Sequence, residues 1–392
     1  MEFMVACNWE EDLLDKIDYP EVTTLFGGLP DTIISGGRPS SIIKNISYEE
    51  FRNYLKSVHA KGWIFDYTIN STCLGNLEFS SEGHKQILNY IEGLLEAGVD
   101  SLTISMTTLI EIIKKHFPGV KIKASTLQRI NTVAMAQKFE DLGADVIMLS
   151  EHINRDFELL SAIRRSVKSK IALVANAGCI YGCHNMHSHS NSTSHSSKIE
   201  NKPRPFSEYY QANCMLTRIS NPVEFVKSRW IRPEDVKVYE DIGIDMLKIL
   251  ERNSTSDTLG ERVKAYSERS FDGNFIDLMG QIFNRKKSIP PSLVTEFSRG
   301  RNEGMKKIGE FFRTFFQVEI SDLFYLDNKK IPKDFINGFM NRDCSKLSCN
   351  KCNYCKSIAD TCMTHVDQKE LDQIVKSMIS AKDGIIEGTT LV

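Results

Sequence analysis

The sequence has almost no net charge, because 49 lysines and arginines balance 51 aspartates and glutamates to leave a formal charge of -2. This balance excludes a global basic field that would attract nucleic acid or an anionic membrane, and it leaves only local patches for such contacts. The segment from Met1 to Pro20 lacks a long apolar run and carries Glu10, Glu11 and Asp12. We therefore predict neither a signal peptide nor a membrane span there, and we expect a cytoplasmic protein.

Two common catalytic motifs are also missing. No Gly-x-Gly-x-x-Gly phrase follows any predicted strand, which argues against a sheet that binds dinucleotides. No His-Glu-x-x-His zinc phrase occurs, and the sequence offers no convincing pair of nucleophile and base. The pair Glu151-His152, after a predicted strand, is the best local acid and base, and it is a weak one. Motifs alone thus give a peptidase little support.

Ten cysteines are present, and in a reducing cytoplasm they are not expected to form disulfides. Burial in a core would scatter them among apolar runs, whereas eight of the ten are clustered. The clustered residues are Cys179, Cys183, Cys214, Cys344, Cys349, Cys352, Cys355 and Cys362. This clustering predicts metal ligation, and only Cys7 and Cys73 stand apart.

Short apolar segments alternate with amphipathic stretches from about residue 22 onward, a pattern typical of βαβ units. The predicted strands are Thr32–Ser35, Ile64–Ile69, Ser101–Ser105, Lys121–Ala124, Val146–Leu149, Ile171–Ala175 and Met246–Ile249. The predicted helices are Tyr48–Ala60, His84–Glu96, Thr107–His116, Asn131–Leu142, Asn154–Val167 and Pro233–Ile242. Roughly seven such units predict an α/β fold of the TIM type, a (β/α) barrel whose chemistry gathers where the strands end. A doubly wound open sheet is the alternative.

We divide the chain into an N-terminal segment (1–21), a barrel domain (22–285) and a small cysteine-rich C-terminal extension (286–392). Three predicted helices end near Gly98, Gly143 or Gly243, each followed two residues later by aspartate. Glycine can take the left-handed conformation that ends a helix and turns the chain into the next strand. Between residues 184 and 208 the periodicity stops, and serine, asparagine, histidine and proline predict a long loop.

The segment from Asn176 to His184 follows a predicted buried strand, so in a barrel it faces the mouth. Cys179 and Cys183 lie four residues apart with glycines beside them, which lets both thiolates bend around one cluster or metal. Cys214 returns to the same mouth at the far end of the long loop. Three cysteines are one ligand short of the usual four of a 4Fe–4S cluster or a structural zinc.

Four cysteines near the C terminus have the close spacing of ferredoxin-type or zinc-ribbon ligands: Cys344, Cys349, Cys352 and Cys355. One of them could complete the barrel site. The four could equally hold a second metal centre, with zinc as one candidate metal. From the sequence, both interpretations stay open.

Other polar residues near the predicted mouth are candidates for contact with substrate. The long loop carries a patch of histidines, in which His184 and His187 are candidates for substrate contact or proton transfer, and ligation by two of the patch is a further option. Arg38 stands beside two glycines after an early strand and is a candidate for binding an anion. Asn70, after the strand Ile64–Ile69, could hydrogen-bond a substrate.

Four phrases in fixed order resemble peptidase family U32, the collagenase-like peptidases, over roughly residues 22 to 270. They are Asn176–Cys183, then Cys214, then Trp230–Asp235, then Gly243–Arg252. The resemblance implies a TIM-like barrel. For family members that modify RNA or quinones, it also implies an oxygen-sensitive 4Fe–4S cluster held by four cysteines.

The resemblance also assigns roles to individual residues. It places Cys179, Cys183 and Cys214 at positions of cluster ligands. The family's strand-end phrase is matched by Lys248, Glu251 and Arg252; we take the first two as catalytic candidates and Arg252 as a substrate-binding candidate. The sequence departs from the family in offering no obvious fourth cysteine within the barrel, and the isolated Cys73 is a less favoured choice for it.

The first functional hypothesis is an iron–sulfur-dependent enzyme that carries out oxygen-independent hydroxylation or related redox chemistry. Its substrate is undetermined and could be a small acid, a peptide or RNA, with an electron-donor protein as a further partner. Some family members are implied to use prephenate as oxygen donor, and arginines such as Arg38 and Arg252 would suit that dicarboxylate. The alternatives are a collagenase-like peptidase and a non-enzymatic iron–sulfur protein for electron transfer.

Overall fold

Eight parallel strands close into a barrel in which each strand pairs with the next along the chain and the last pairs with the first. The computed structural model describes residues 1–30, 32–38, 43–196, 209–282 and 318–387. The barrel strands are β1 (Glu2–Ala6), β2 (Val22–Gly27), β3 (Ile64–Ile69), β4 (Ser101–Ile104), β5 (Lys121–Ala124), β6 (Val146–Met148), β7 (Lys170–Val174) and β8 (Met246–Ile249). This closed sheet confirms the predicted TIM-type barrel over the open-sheet alternative.

Helices surround the barrel and build the C-terminal region. Up to the end of the barrel they are α1 (Leu13–Lys16), α2 (Tyr48–Ala60), α3 (Ser81–Ala97), α4 (Thr107–His116), α5 (Val133–Asp141), α6 (Phe157–Ser166), α7 (Met186–Ser196), α8 (Tyr209–Ser220), α9 (Val223–Lys227), α10 (Val236–Ile242) and α11 (Ser256–Ser267). The C-terminal region has α12 (Ile320–Leu323), β9 (Phe324–Leu326), α13 (Asn337–Met340), α14 (Cys349–Cys352), α15 (Tyr354–Cys362), β10 (Met363–His365) and α16 (Gln368–Ile386), with β9 and β10 antiparallel. Within the described ranges, we find no helix whose length and apolar content would let it span a membrane.

The N-terminal part of the prediction needs two corrections. The barrel begins with β1, which belongs to the N-terminal segment 1–21, whereas the sequence predicts that the barrel starts at residue 22. The predicted strand Thr32–Ser35 is wrong, because the second barrel strand is β2 and residues 32–35 follow it as irregular chain. The acidic residues that begin at Glu10, a few positions after β1, hid its short apolar run, although Phe3 to Ala6 are all fully buried. The other six predicted strands agree with β3 to β8 to within one residue at each end.

The three predicted glycine caps are confirmed. Gly98, Gly143 and Gly243 have φ values of 104°, 88° and 90°, in the left-handed region that favours glycine. Each cap turns its chain from a helix on the outside of the barrel into the next inner strand.

The predicted loop 184–208 is wrong in its first half, because α7 occupies residues 186–196; residues 197–208 lie outside the described part. Serine and threonine are poor helix formers because their hydroxyls compete for backbone groups. Here the hydroxyls bond back within the helix, as from Ser190 Oγ to the Met186 carbonyl at 2.9 Å. Ser194 Oγ also accepts a hydrogen bond from the Thr72 amide at 2.8 Å, so contact with the β3 loop stabilises the helix.

Two separate hydrophobic cores hold the chain together. The larger one fills the barrel and the layer between its strands and helices. The smaller one joins residues of α8 and α9, such as Phe225, to C-terminal residues, such as Phe324 and Phe335, around the buried indole of Trp230. The C-terminal region therefore packs against the segment that follows β7. The proposed boundary at residue 285 itself lies outside the described residues and stays a prediction.

A buried ion pair lies inside the barrel and joins β3 to β5 across the intervening β4. The Asp66 carboxylate accepts hydrogen bonds from Ser101 and Thr103, and Lys123 Nζ lies 3.4 Å from its Oδ1. Asp66 is 0% exposed and Lys123 is 3% exposed, so neither charge is solvated by bulk water. Removing one partner of such a pair leaves an uncompensated charge in the interior.

We expect Asp66→Asn to destabilise the fold by about 3–5 kcal/mol, because the Lys123 ammonium then loses its counter-charge. Urea unfolding of the full chain at neutral pH measures this loss. Adding Lys123→Met to the variant should recover most of the stability.

Asp272→Asn is the control, because the Asp272–Lys329 pair is about two-thirds exposed and its removal should cost less than about 1 kcal/mol. Equal losses for both single variants would contradict the expectation.

Candidate functional site

The loops at the C-terminal ends of the strands enclose a cavity together with α7 and α8. Cys179 and Cys183 reach it from the loop after β7, and Cys214 reaches it from α8. The remaining lining comprises Gly37, Arg38, Leu127, Arg129, Ile180, Asn185, Met186, His189, Ser190, Thr193, Tyr210, Gln211, Arg218, Glu251, Asn253, Gln281 and Ile282. The structure thus brings the three predicted thiols to one cavity at the predicted rim. Their role as ligands stays a prediction.

The exit of β7 is fixed by the Asn176 side chain, which is fully buried. Its Nδ2 donates to the carbonyls of Leu250 at 2.7 Å and Leu278 at 3.0 Å, and its Oδ1 accepts from the Leu250 amide at 2.8 Å. Two residues later, a Cβ on Gly178 would stand 2.0 Å from the Gly280 carbonyl oxygen, so only glycine fits there. Asn176 and Gly178 therefore set the position from which Cys179 enters the cavity.

A buried arginine lies against the third thiol. Arg218 follows Cys214 by one helical turn, and its Nη1 lies 3.1 Å from Cys214 Sγ. Its Nη2 donates to the Gly178 carbonyl, which ties α8 to the loop after β7. The Arg218 side chain is 2% exposed. Arg218 therefore places a cation within hydrogen-bonding distance of Cys214 Sγ. The sequence prediction missed Arg218, although its spacing of four from Cys214 on a helix was a readable signal.

Cys179 is a partly buried thiol of the cavity. Burial raises the pKa of Cys179, and the nearby Glu151 carboxylate raises it further, while Arg129 opposes both. Glu151 and Arg129 are themselves paired at 2.9 Å. Without a bound cation, Cys179 is therefore a neutral thiol at physiological pH. A coordinated metal ion would deprotonate it directly.

The histidine that lines the cavity is His189. The side chains of His184 and His187 are exposed and do not line it, and their role in substrate contact or proton transfer stays a prediction. On α7, the residues facing the cavity are Met186, His189, Ser190 and Thr193, which have helical spacing. Treating this segment as a loop concealed that spacing. The His189 ring stacks on Tyr210 with centroids 5.7 Å apart.

His189 is neutral at physiological pH. Burial lowers its pKa to about 4, and the cations Arg38 and Arg129 contribute to the shift. The cavity therefore holds an imidazole that can donate one proton and accept another without carrying charge.

Arg38 and Glu251 both line the cavity, but they are bound to each other. Arg38 Nε and Nη2 donate to the two Glu251 oxygens at 2.7 and 2.9 Å. Burial opposes ionisation of Glu251, yet Arg38, followed by Arg252 and Arg262, lowers its pKa to about 2. Both side chains are thus ionised, and their charges cancel. Arg38, which is predicted to bind an anion, therefore already has a carboxylate partner.

The remaining predicted polar residues do not line the cavity in the described part of the chain. Arg252 is 8% exposed and donates to Thr68 Oγ1 at 2.9 Å and to the Gly36 carbonyl at 2.7 Å, so it ties loops together beneath the rim. Asn70 contacts Gly37 from below and has a buried Oδ1 without a partner. The structure thus does not bring Arg252 or Asn70 to this cavity, and their contact with a substrate stays a prediction.

Lys248, predicted to be catalytic, points into the barrel interior and is 4% exposed. Its Nζ lies 4.0 Å from the centre of the Phe26 ring and 3.7 Å from Met148 Sδ. Burial lowers the pKa of Lys248 to about 7, with Asp66 opposing the shift. Lys248 does not line the cavity, and its predicted catalytic role stays a prediction.

The four C-terminal cysteines line a second cavity. Cys344, Cys349, Cys352 and Cys355 share it with Tyr181, Lys227, Arg229, Phe339 and others, and it has no lining residue in common with the first cavity. Burial raises the pKa of Cys355, whereas Arg155 and Arg229 lower it and Cys344 and Cys349 raise it. The two sets of thiols therefore lie in separate places.

No three histidine, cysteine, aspartate or glutamate side chains of the described residues are close enough together to coordinate a metal ion as they stand. Ligation at either cavity would require the thiols to draw together. The ten cysteines are all free in this structure.

The family model of peptidase family U32 matches residues 38–273, which is more than half of the chain. The chain belongs to peptidase family U32. This U32 protein is 26% identical over 310 residues to the uncharacterized protease MJ1657 of Methanocaldococcus jannaschii, covering 79% of each chain. Its fold is similar to the U32 peptidase Mk0906, with a TM-score of 0.50 and 19% identity over 64% of this chain and 92% of that one. The family resemblance noted in the sequence is confirmed.

We expect the buried His189 to make the stability of this U32 protein depend on pH. Its folded pKa lies below the value of about 6.5 for an unfolded chain. The unfolded chain therefore binds a proton that the folded chain does not, and stability falls as the pH drops from about 6.5 to about 4.

His189→Gln should reduce this fall by about 1–3 kcal/mol in urea unfolding at pH 7.5 and 4.5. His187→Gln, at an exposed site on the same helix, should leave it unchanged. Identical pH profiles for the two variants would contradict the expectation.

Proposed function

We propose that this U32 protein is a modifying enzyme that uses an iron–sulfur cluster at the barrel mouth for oxygen-independent hydroxylation or related redox chemistry. The proposal is supported by the positions of Cys179, Cys183 and Cys214, which line one cavity at the C-terminal rim of the strands. The third of these thiols lies 31 positions after the second in the sequence. In TIM barrels, this rim is where catalytic groups gather.

The residues of the cavity fit such a cluster in donor type and in charge. Three thiolates bring negative charge into a partly buried place, and Arg218 stands against Cys214 to offset part of it. Arg129 lies close enough to Cys179 to favour its thiolate. When bound, a 4Fe–4S cluster held by three cysteines supplies one-electron transfer and an iron with an open coordination position.

The surrounding side chains would bind and orient a substrate. The α7 helix lies over the mouth and presents Met186 and Thr193, which exclude water from one side of the cavity. His189 can exchange a proton with a substrate through its neutral ring. Because Arg38 and Arg129 are each paired with a glutamate, the cavity is less suited to a dicarboxylate such as prephenate than we expected. A small acid, a peptide or RNA remains the substrate class in this proposal, with a protein as electron donor.

A peptidase is the second candidate, and the name of the family and of the relative MJ1657 favours it. The cavity gives it less support. Within the described residues, the His189 ring makes no hydrogen bond to a hydroxyl or a thiol, as the base of a nucleophilic pair would.

The test is the metal content and colour of the full chain purified without oxygen. We expect iron and sulfide, with broad absorbance near about 400 nm from thiolate-to-iron charge transfer. Cys179→Ser and Cys214→Ser should each lower the content by about four iron and four sulfide per chain. Cys73→Ser is the matched control, because this partly exposed thiol follows β3 without lining the cavity.

Two outcomes would overturn the proposal. One is that Cys179→Ser and Cys214→Ser keep the full metal content of the wild type. The other is a colourless, iron-free wild type that cleaves a peptide, which would favour the second candidate. Circular dichroism of each variant separates loss of metal from loss of fold.

A further inference from the structure

The second cavity collects four thiols from a stretch of only twelve residues, 344–355. Cys349 and Cys352 are the first and last residues of α14, and Cys355 lies in the first turn of α15. Between the two helices, Asn353 takes a left-handed conformation with φ of 54°. This turn keeps Cys352 and Cys355 on the same side of the chain, and Cys344 reaches the cavity from the preceding loop.

A buried guanidinium without a counter-charge forms part of the wall. Arg229 is 4% exposed, and its guanidinium lies 3.7 Å from the centre of the Tyr181 ring. Its Nε is buried and has no hydrogen-bond partner. Among the described residues, no carboxylate oxygen lies within 4 Å of it. Within the part of the chain that the structure describes, the charge of Arg229 therefore has no anionic partner.

A second buried guanidinium stands behind this wall. Arg155 is 2% exposed, donates to the carbonyls of Val226 at 2.8 Å and Trp230 at 3.2 Å, and stacks on the Trp230 and Phe339 rings. Its Nε also lacks a partner. No carboxylate within the described ranges pairs with it at 4 Å or less, although Asp235 acts on it over a longer distance. Both guanidiniums act electrostatically on Cys355.

Two unpaired buried cations are costly, and an anion placed between them removes much of that cost. Neutral thiols cannot provide it. Four thiolates around a zinc ion or around an oxidised 4Fe–4S cluster carry a net charge of about -2, which matches the two guanidiniums. The positive charge of Arg155 and Arg229 and the presence of four thiols thus both favour a bound metal centre with a net negative charge.

We propose that Cys344, Cys349, Cys352 and Cys355 bind a second metal centre, separate from the one at the barrel mouth, whose negative charge Arg155 and Arg229 offset. The spacing Cys-x2-Cys-x2-Cys is that of ferredoxin ligands and favours a 4Fe–4S cluster over zinc. Binding draws the thiols together from their present positions, and the exposure of Cys349 leaves room for that adjustment.

The test measures iron, sulfide and zinc in the full chain after anaerobic reconstitution with iron and sulfide. We expect about eight iron per chain in the wild type and about four in Cys352→Ser or Cys349→Ala. Cys179→Ser should lose the other four, and the double variant Cys179→Ser/Cys352→Ser should lose all.

If the barrel-mouth proposal alone fails, Cys179→Ser loses nothing while Cys352→Ser still loses its four. Full metal in Cys352→Ser, or loss of all eight iron of an eight-iron wild type in either single variant, overturns the second centre. One zinc per chain, lost in Cys352→Ser, keeps the site and overturns the cluster.

The arginines give an independent readout. Arg229→Gln should weaken the hold of the C-terminal thiols on their metal by about tenfold, because groups next to the ligands tune metal affinity. The rate at which a chelator removes iron from the Cys179→Ser background measures this. Arg342→Gln is the matched control, since Arg342 lines the same cavity but donates to the Gly338 carbonyl and stacks on Tyr354. Equal rates for both arginine variants would contradict the charge argument.

Discussion

The hydrogen bonds of the Asn176 side chain are the constraint on which both cavities depend. They hold the end of β7 to the end of β8 and to the chain near residue 278, deep in the structure where no water competes for them. With the strand end fixed, the contact of Gly178 with the Gly280 carbonyl determines the direction of the following loop. That loop then supplies Cys179 to one cavity and Tyr181 to the other.

Charge is distributed differently around the two cavities. At the barrel mouth, Arg38 and Arg129 each face a glutamate, which leaves Arg218 beside Cys214 as the cation aimed at a thiol. At the C-terminal cavity, Arg155 and Arg229 rest on aromatic rings and carbonyls instead of carboxylates. Among the described residues, the first arrangement leaves one buried guanidinium, that of Arg218, without a carboxylate, and the second leaves two. This difference in charge is one physical reason for treating the cavities as distinct sites.

Sequence periodicity predicted the barrel well, because six of its strands are short apolar runs between helices with clear caps. It failed where local signals conflict with tertiary contacts. The strand β1 stands next to acidic residues, and α7 is built from serine, histidine and asparagine that favour loops in isolation. Each group of closely spaced cysteines lines one cavity, and the role of these thiols as ligands stays a prediction. The inward position of His189 could not be read from the sequence without the helix, because only helical spacing shows which face of 186–196 turns towards the cavity.

The loop from Cys179 to Cys183 is a partition one chain segment thick. Ile180 and Cys183 face the barrel mouth, while Tyr181 between them faces the other cavity and rests on Arg229. Behind it, the Gly182 amide donates to His152 Nδ1 at 3.4 Å, which anchors the partition to the end of β6. One short segment therefore contributes side chains to the linings of both cavities. A substitution that changes the path of this segment would alter the walls of both cavities at once.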